Sequence, residues 1–128
     1  MQFVYVDPSR NLLHIIYVAT VGKDEGLQLL GDVNRALLQL TPGFRVLTDL
    51  RDLRSVDDDG YVFIRHVMDV CRTQGLTKVV RIVPRAMADF GFGIMSIFHY
   101  DRDIAVVNCL NLEEALDRLA LQDGKQEP

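Results

Sequence analysis

Cysteine is scarce in this sequence, since its 128 residues include only Cys71 and Cys109, far apart and without a CxxC pair or zinc-ligand spacing. This excludes a disulfide scaffold and predicts reduced, mostly buried thiols in a cytosolic protein. Runs of Lys or Arg are also missing, and 14 basic against 18 acidic residues give a net charge of -4. Nucleic-acid binding is therefore not expected, because it needs a basic surface.

Long apolar runs are missing as well. No stretch approaches the roughly 18 residues that a membrane span requires, and the first residues lack the basic segment of a targeting signal. With 48% apolar and 25% charged residues, the composition is that of a soluble globular protein. We find no repeat or linker, so we expect one cytoplasmic domain over residues 1–128, with a flexible tail from about residue 122.

Hydrophobic periodicity predicts a β-hairpin followed by alternating strands and helices. Residues 2–6 and 12–19 are rich in Val, Ile and Tyr around a turn that contains Pro8. Further strands are predicted over residues 44–50, 78–83 and 104–107, and helices over 23–40, 61–75, 86–99 and from the capping residue Asn111 onward. The order ββαβαβαβα predicts an α/β fold with a mostly parallel sheet of about five strands, flanked by about four helices.

An acidic segment stands out at residues 49–61, which hold five aspartates in thirteen positions. It follows a predicted strand, where ligands and regulatory contacts of parallel sheets gather. A purely structural interpretation is that Asp57 caps the next helix while Asp58 and Asp59 lie against the positive end of its dipole. A functional interpretation, compatible with the first, is that the segment forms an exposed loop for docking or regulation.

The same segment resembles the signature of STAS domains, the sulfate-transporter and anti-sigma-factor-antagonist family. That signature runs Asp-Leu-Ser, then hydrophobic positions, then Asp-Ser-Ser/Thr-Gly, and the matching positions here are Asp49, Leu50, Leu53, Val56, Asp57 and Gly60. The predicted order of strands and helices agrees along nearly the whole chain. The resemblance implies a STAS-like fold and a regulatory protein partner.

One departure from the signature bears on function. In partner-switching members of the family, a serine that a kinase phosphorylates follows the second aspartate of the motif, and here that position is Asp58. A carboxylate imitates the roughly -1.5 to -2 charge of phosphoserine only in part, and permanently. We therefore expect a non-enzymatic docking loop with fixed charge, formed by Arg51, Asp52, Asp57, Asp58, Asp59 and Arg85.

Residues 90–100 are aromatic on more than one face of any helix, which favours burial or contact with a partner. Three interpretations are open: a core helix, a homodimer interface, or the wall of an apolar pocket. From residue 78 onward the chain also resembles the SpoIIAA-like proteins, some of which hold apolar ligands, so the resemblance implies a small apolar or lipid-like ligand as the alternative function. The candidate residues are Phe90, Phe92, Met95, Phe98 and Tyr100.

Catalytic patterns are weak. His14, His66 and His99 do not lie beside a Ser or Cys in a nucleophile motif, and residues 90–93 lack the third glycine of a dinucleotide fingerprint. The aspartate cluster has ligands suited to Mg²⁺, but no accompanying residues of a phosphoryl-transfer site are identifiable. We expect neither an enzyme nor a cofactor or metal.

Overall fold

A five-stranded sheet and three α-helices make up the described part of this computed structural model, which covers residues 2–84, 96–100 and 103–124. The elements are β1 (Phe3–Asp7), a 3-10 turn (Pro8–Arg10), β2 (Leu12–Val21), α1 (Lys23–Leu37), β3 (Arg45–Val56), α2 (Asp58–Thr73), β4 (Lys78–Ile82), β5 (Ala105–Cys109) and α3 (Leu112–Gly124).

The sheet has the strand order β1-β2-β3-β4-β5. β1 and β2 are antiparallel and joined by the short turn, whereas every other neighbouring pair is parallel. The predicted hairpin and mostly parallel five-stranded sheet are thus confirmed. The described residues contain three helices instead of the predicted four, since most of the helix expected over residues 86–99 falls outside them.

Helices cover both faces of the sheet and create two cores. Because successive strand residues point to opposite faces, neighbours such as Leu12 and Leu13 enter different cores. The larger core lies under α1 and α2, whose buried residues include Val33 and Ile64. The smaller one lies under α3 and includes Leu119.

Each cysteine lies in one of these cores. Cys71 is buried in the larger core and Cys109 in the smaller, and both thiols are free. Burial raises the pKa of Cys71 to about 12, which keeps this thiol protonated and unreactive at neutral pH. The predicted burial of both residues is confirmed.

Strand β3 is longer than the sequence pattern indicates. We predicted a strand over residues 44–50 and a charged loop after it, but β3 continues to Val56. The loop prediction for residues 51–56 is therefore wrong. Residues 51–56 form a strand because of a partner that is distant in sequence: β2 is also long and pairs with β3 as far as Val21 opposite Val56. In contrast, β4 pairs with β3 only over residues 45–49.

Candidate docking site

Asp57 starts helix α2 as the sequence predicts. Its Oδ1 accepts a hydrogen bond of 2.9 Å from the backbone N–H of Gly60, and Asp58 and Asp59 occupy the first turn. Asp57, Asp58 and Asp59 are all exposed. The capping interpretation is confirmed, and it leaves the carboxylates of Asp58 and Asp59 at the surface.

Helix α1 begins at the same place. The backbone N–H of Gly22 donates to Oε1 of Glu25 at 2.9 Å, which completes one half of a capping box. A Cβ built on Gly22 would lie 2.9 Å from Oδ2 of Asp57 and 3.0 Å from Oε1 of Glu25. The two helices therefore start side by side.

Together, the two first turns form what we call the acidic rim: Asp24, Glu25, Asp57, Asp58 and Asp59. Lys23 is the one basic residue in these turns. Asp24 and Glu25 are not among the site residues predicted from the sequence. The available signal was a glutamate three positions after Gly22, the spacing of a capping box.

The first turn of α2 is seated directly on the end of β2. The backbone N–H of Asp57 donates to the carbonyl oxygen of Val21 at 3.1 Å. A Cβ on Gly60 would fall onto that same oxygen and lie 2.7 Å from the carbonyl carbon of Val21. Only glycine fits at this contact, so the backbone positions of the exposed aspartates are set by packing.

The first residues of the predicted docking loop, Arg51 and Asp52, do not lie with the three exposed aspartates. Arg51 and Asp52 belong to β3 and line an open cleft of about 480 Å³ together with Val18, Ala19 and Arg54. Asp52 and Asp57 are five positions apart along extended backbone, a span of roughly 16 Å. The structure therefore brings Asp57, Asp58 and Asp59 together and places Arg51 and Asp52 in a neighbouring cleft, while Arg85 lies outside the described residues.

Arg51 is held in place by Asp49. Its Nε donates to Oδ1 of Asp49 at 3.0 Å and its Nη2 to Oδ2 at 2.8 Å. Burial acts to raise the pKa of the Asp49 carboxyl, but the hydrogen bonds and charge of Arg51 outweigh it and lower that pKa below its ordinary value. This two-point contact fixes the guanidinium at the edge of the cleft.

His14 lies beside this pair on β2. Its ring centroid is 5.9 Å from that of Tyr5, and its Nε2 is buried with no hydrogen-bond partner among the described residues. Burial lowers the pKa of His14, the charge of Asp49 opposes this, and the charge of Arg51 adds to it. The net result is a histidine that resists protonation in the folded state.

We expect acid to destabilise the protein through His14. The unfolded chain takes up a proton near the ordinary pKa of 6.5, whereas the folded chain does so only at lower pH. The stabilisation is therefore complete above about pH 6.5 and is lost as the pH falls from there toward the folded pKa. Urea unfolding at pH 7.5 and 5.5 measures the loss.

His14→Phe should reduce that pH dependence. His66→Gln, a change at an exposed histidine of α2, is the control and should leave it unchanged. Equal pH dependence in the wild type and in His14→Phe would assign the effect to another group.

The aromatic segment is described only from residue 96 to residue 100. Phe98 is 2% exposed and meets Tyr17 edge-on, with ring centroids 5.0 Å apart, inside the larger core. Tyr100 is half-buried against the same core. Phe90, Phe92 and Met95 lie outside the described residues, so the interface and the apolar pocket both stay predictions.

Two further features are absent from the described ranges. No group of three or more His, Cys, Asp or Glu side chains there could hold a metal ion. In the same residues, no helix has both the length and the apolar character needed to cross a membrane.

Comparisons with known proteins rest on structure. No family model matches the sequence, and no curated protein is significantly similar to it. The chain is similar in structure to the anti-sigma factor antagonist SpoIIAA in its unphosphorylated form, with a TM-score of 0.64 and 14% identity over 94% of this chain and 98% of that one.

Two further solved structures agree with this. An uncharacterised DUF3478 protein with a SpoIIAA-like fold from Shewanella loihica has a TM-score of 0.69 at 15% identity, covering 92% of this chain and 93% of that one. The Bacillus cell fate determinant SpoIIAA in its phosphorylated form has a TM-score of 0.59 at 15% identity, covering 93% and 99%. The strand order, the parallel pairing of β2 to β5 and these similarities together show that the chain has the STAS/SpoIIAA-like fold.

Proposed function

We propose that this chain is a non-enzymatic, cytoplasmic regulatory domain that binds a protein partner at the acidic rim. The observation that carries the proposal is that the first turns of α1 and α2 meet and present Asp24, Asp58 and Asp59 at the surface. A fixed cluster of negative charge selects basic partners and repels acidic ones.

Asp58 is central because of the position it occupies. In the STAS signature this position is the phosphorylated serine, and SpoIIAA has been solved both without and with its phosphate. We propose that Asp58 supplies a permanent charge where such relatives switch theirs. Because a carboxylate carries one charge and phosphoserine carries about -1.5 to -2, the imitation is partial.

The neighbouring cleft belongs to the same proposal. Arg51 is pinned by Asp49 at its edge and Asp52 is exposed beside it, so a partner seated on the acidic rim and extending along β3 would meet both charges. Arg85 completes the proposed docking set. A non-enzymatic role is supported by the use of Asp57 and Glu25 as helix caps.

Charge reversal at Asp58 tests this function. In quantitative affinity capture from the cells that produce the protein, Asp58→Lys should lower retention of the bound partner at least tenfold, about 1.4 kcal/mol. Its free energy of unfolding should fall by no more than about 2 kcal/mol, because the side chain is exposed and the reversed charge opposes only the helix dipole.

Asp117→Lys is the matched control. It makes the same charge change at an exposed position of α3, on the opposite face of the sheet, and should retain the partner. If both variants lose the partner equally, the loss comes from the change in net charge and not from a contact at the rim. If neither variant loses the partner, docking at the rim is refuted.

A further inference from the structure

Three large apolar side chains are exposed close to the acidic rim. Leu27 is 55% exposed on α1, and Tyr61 and Val62 are 45% and 50% exposed on α2. Leu27 and Val62 each lie five positions after the residue that precedes their helix, Gly22 and Asp57. Both residues therefore stand at the same depth along the two helices.

Helices α1 and α2 pack closely next to Leu27 and Val62. A Cβ on Gly26 would lie only 2.6 Å from Cβ of Phe63, so the backbones of α1 and α2 approach closely at this point. Leu27 follows Gly26 and Val62 precedes Phe63 in the chain. We call Leu27 and Val62 the apolar platform, which lies one turn below the acidic rim; Tyr61, two positions before Phe63, is on the side of α2 that faces away from α1.

We propose that the apolar platform and the acidic rim together bind a basic amphipathic helix of the partner. This inference rests on the proposed function and adds the chemistry of what is bound. An apolar stripe on such a helix would cover Leu27 and Val62, while flanking Lys or Arg side chains would pair with the carboxylates.

The negative charge of the acidic rim favours a basic helix over a second copy of the chain, a membrane or a nucleic acid. A second copy joined through the same surface would set five carboxylates against their own equivalents near the symmetry axis, which costs free energy. Membranes and nucleic acids carry negative surface charge and are repelled in the same way. A basic protein segment is attracted.

The architecture favours a helix over a strand. Both parts of the surface are built from α1 and α2, whose backbone hydrogen bonds are made within each helix. Strand addition needs an open sheet edge that offers backbone groups. A partner therefore contacts this surface through side chains, as a helix does when it packs against two other helices.

Defined synthetic peptides test the proposal against the full chain. The probe is an 18-residue peptide with a leucine stripe at helical spacing and lysines on both sides, measured by titration calorimetry. One control peptide carries glutamate in place of lysine, and a second has the lysine peptide's composition in scrambled order. We expect binding of the first peptide only, with at least tenfold weaker affinity for each control.

Protein variants locate the contact. Leu27→Ser combined with Val62→Ser should weaken the lysine peptide at least tenfold. Leu38→Ser should not, although Leu38 is 86% exposed, because it lies past the other end of α1. Equal binding of the scrambled peptide, or equal effects of the double variant and Leu38→Ser, would overturn the proposal.

The two hypotheses can fail separately. If Asp58→Lys abolishes partner capture while the double serine variant retains it, docking at the rim stands and the amphipathic helix is refuted. If neither variant affects capture, both are refuted. If both variants lose the partner and the peptide binds as described, both are supported.

Discussion

Gly60→Ala is expected to lower the free energy of unfolding by about 3 kcal/mol, because the site has no room for even one methyl group. The new Cβ would fall onto the carbonyl oxygen of Val21, a backbone atom that cannot swing aside. That oxygen also accepts the hydrogen bond from the N–H of Asp57. Relief of the clash would therefore move the start of α2 away from β2 and displace the exposed aspartates.

Gly31→Ala is the matched control for this prediction. Gly31 is also a helical glycine, but its nearest surrounding atom is Nη1 of Arg35, 3.7 Å from the built Cβ. Alanine there should stabilise the protein by about 0.5 to 1 kcal/mol through its better helix propensity. Urea unfolding followed by circular dichroism measures both variants, and a Gly60→Ala protein as stable as the wild type would show that the close contact is absent.

Phe98→Ala is expected to cost about 4 kcal/mol of unfolding free energy. The ring is almost fully buried and packs edge-on against Tyr17, so its removal leaves a cavity in the larger core. Arg65 donates to the backbone carbonyls of residues 97 and 99 at 3.1 and 2.9 Å, which holds the flanking backbone and limits collapse into that cavity.

Phe3→Ala makes the same chemical change at a ring that is 40% exposed on β1, and it should cost about 1 kcal/mol or less. Sedimentation of both variants adds the oligomeric state to the measurement. A Phe98→Ala protein of normal stability but altered oligomeric state would assign Phe98 to the predicted homodimer interface and contradict its placement in the core.

The parts of the fold that were predictable depend on short-range patterns. The turn at Pro8, the helical spacing of apolar residues in α1 and α2, and the Asp57 cap each need only a few neighbouring residues. The alternation of these elements then restricts the topology to right-handed crossovers and a mostly parallel sheet. The turn, the two helices, the cap and the mostly parallel sheet were confirmed, because each depends on neighbouring residues or on the order of the elements.

Residues 51–56 show where local patterns fail. Five of these six residues are exposed or half-buried and most are polar, so the composition is typical of a loop. They form a strand because β2 runs alongside and pairs with them up to Val21. The backbone hydrogen bonds that stabilise them come from a segment more than thirty positions earlier in the sequence.

By itself, the sequence determined the element order, the capping of α2 and the presence of three consecutive carboxylates at its start, since each of these depends on neighbouring residues. The tertiary structure decided that Gly22 and Asp57 meet, that α1 adds Asp24 and Glu25 to the rim, and that Leu27 and Val62 reach the same depth. Parallel pairing of β2 with β3 brings the ends of both strands together, and both helices begin there. That coincidence arises from contacts between distant segments, which no local pattern encodes.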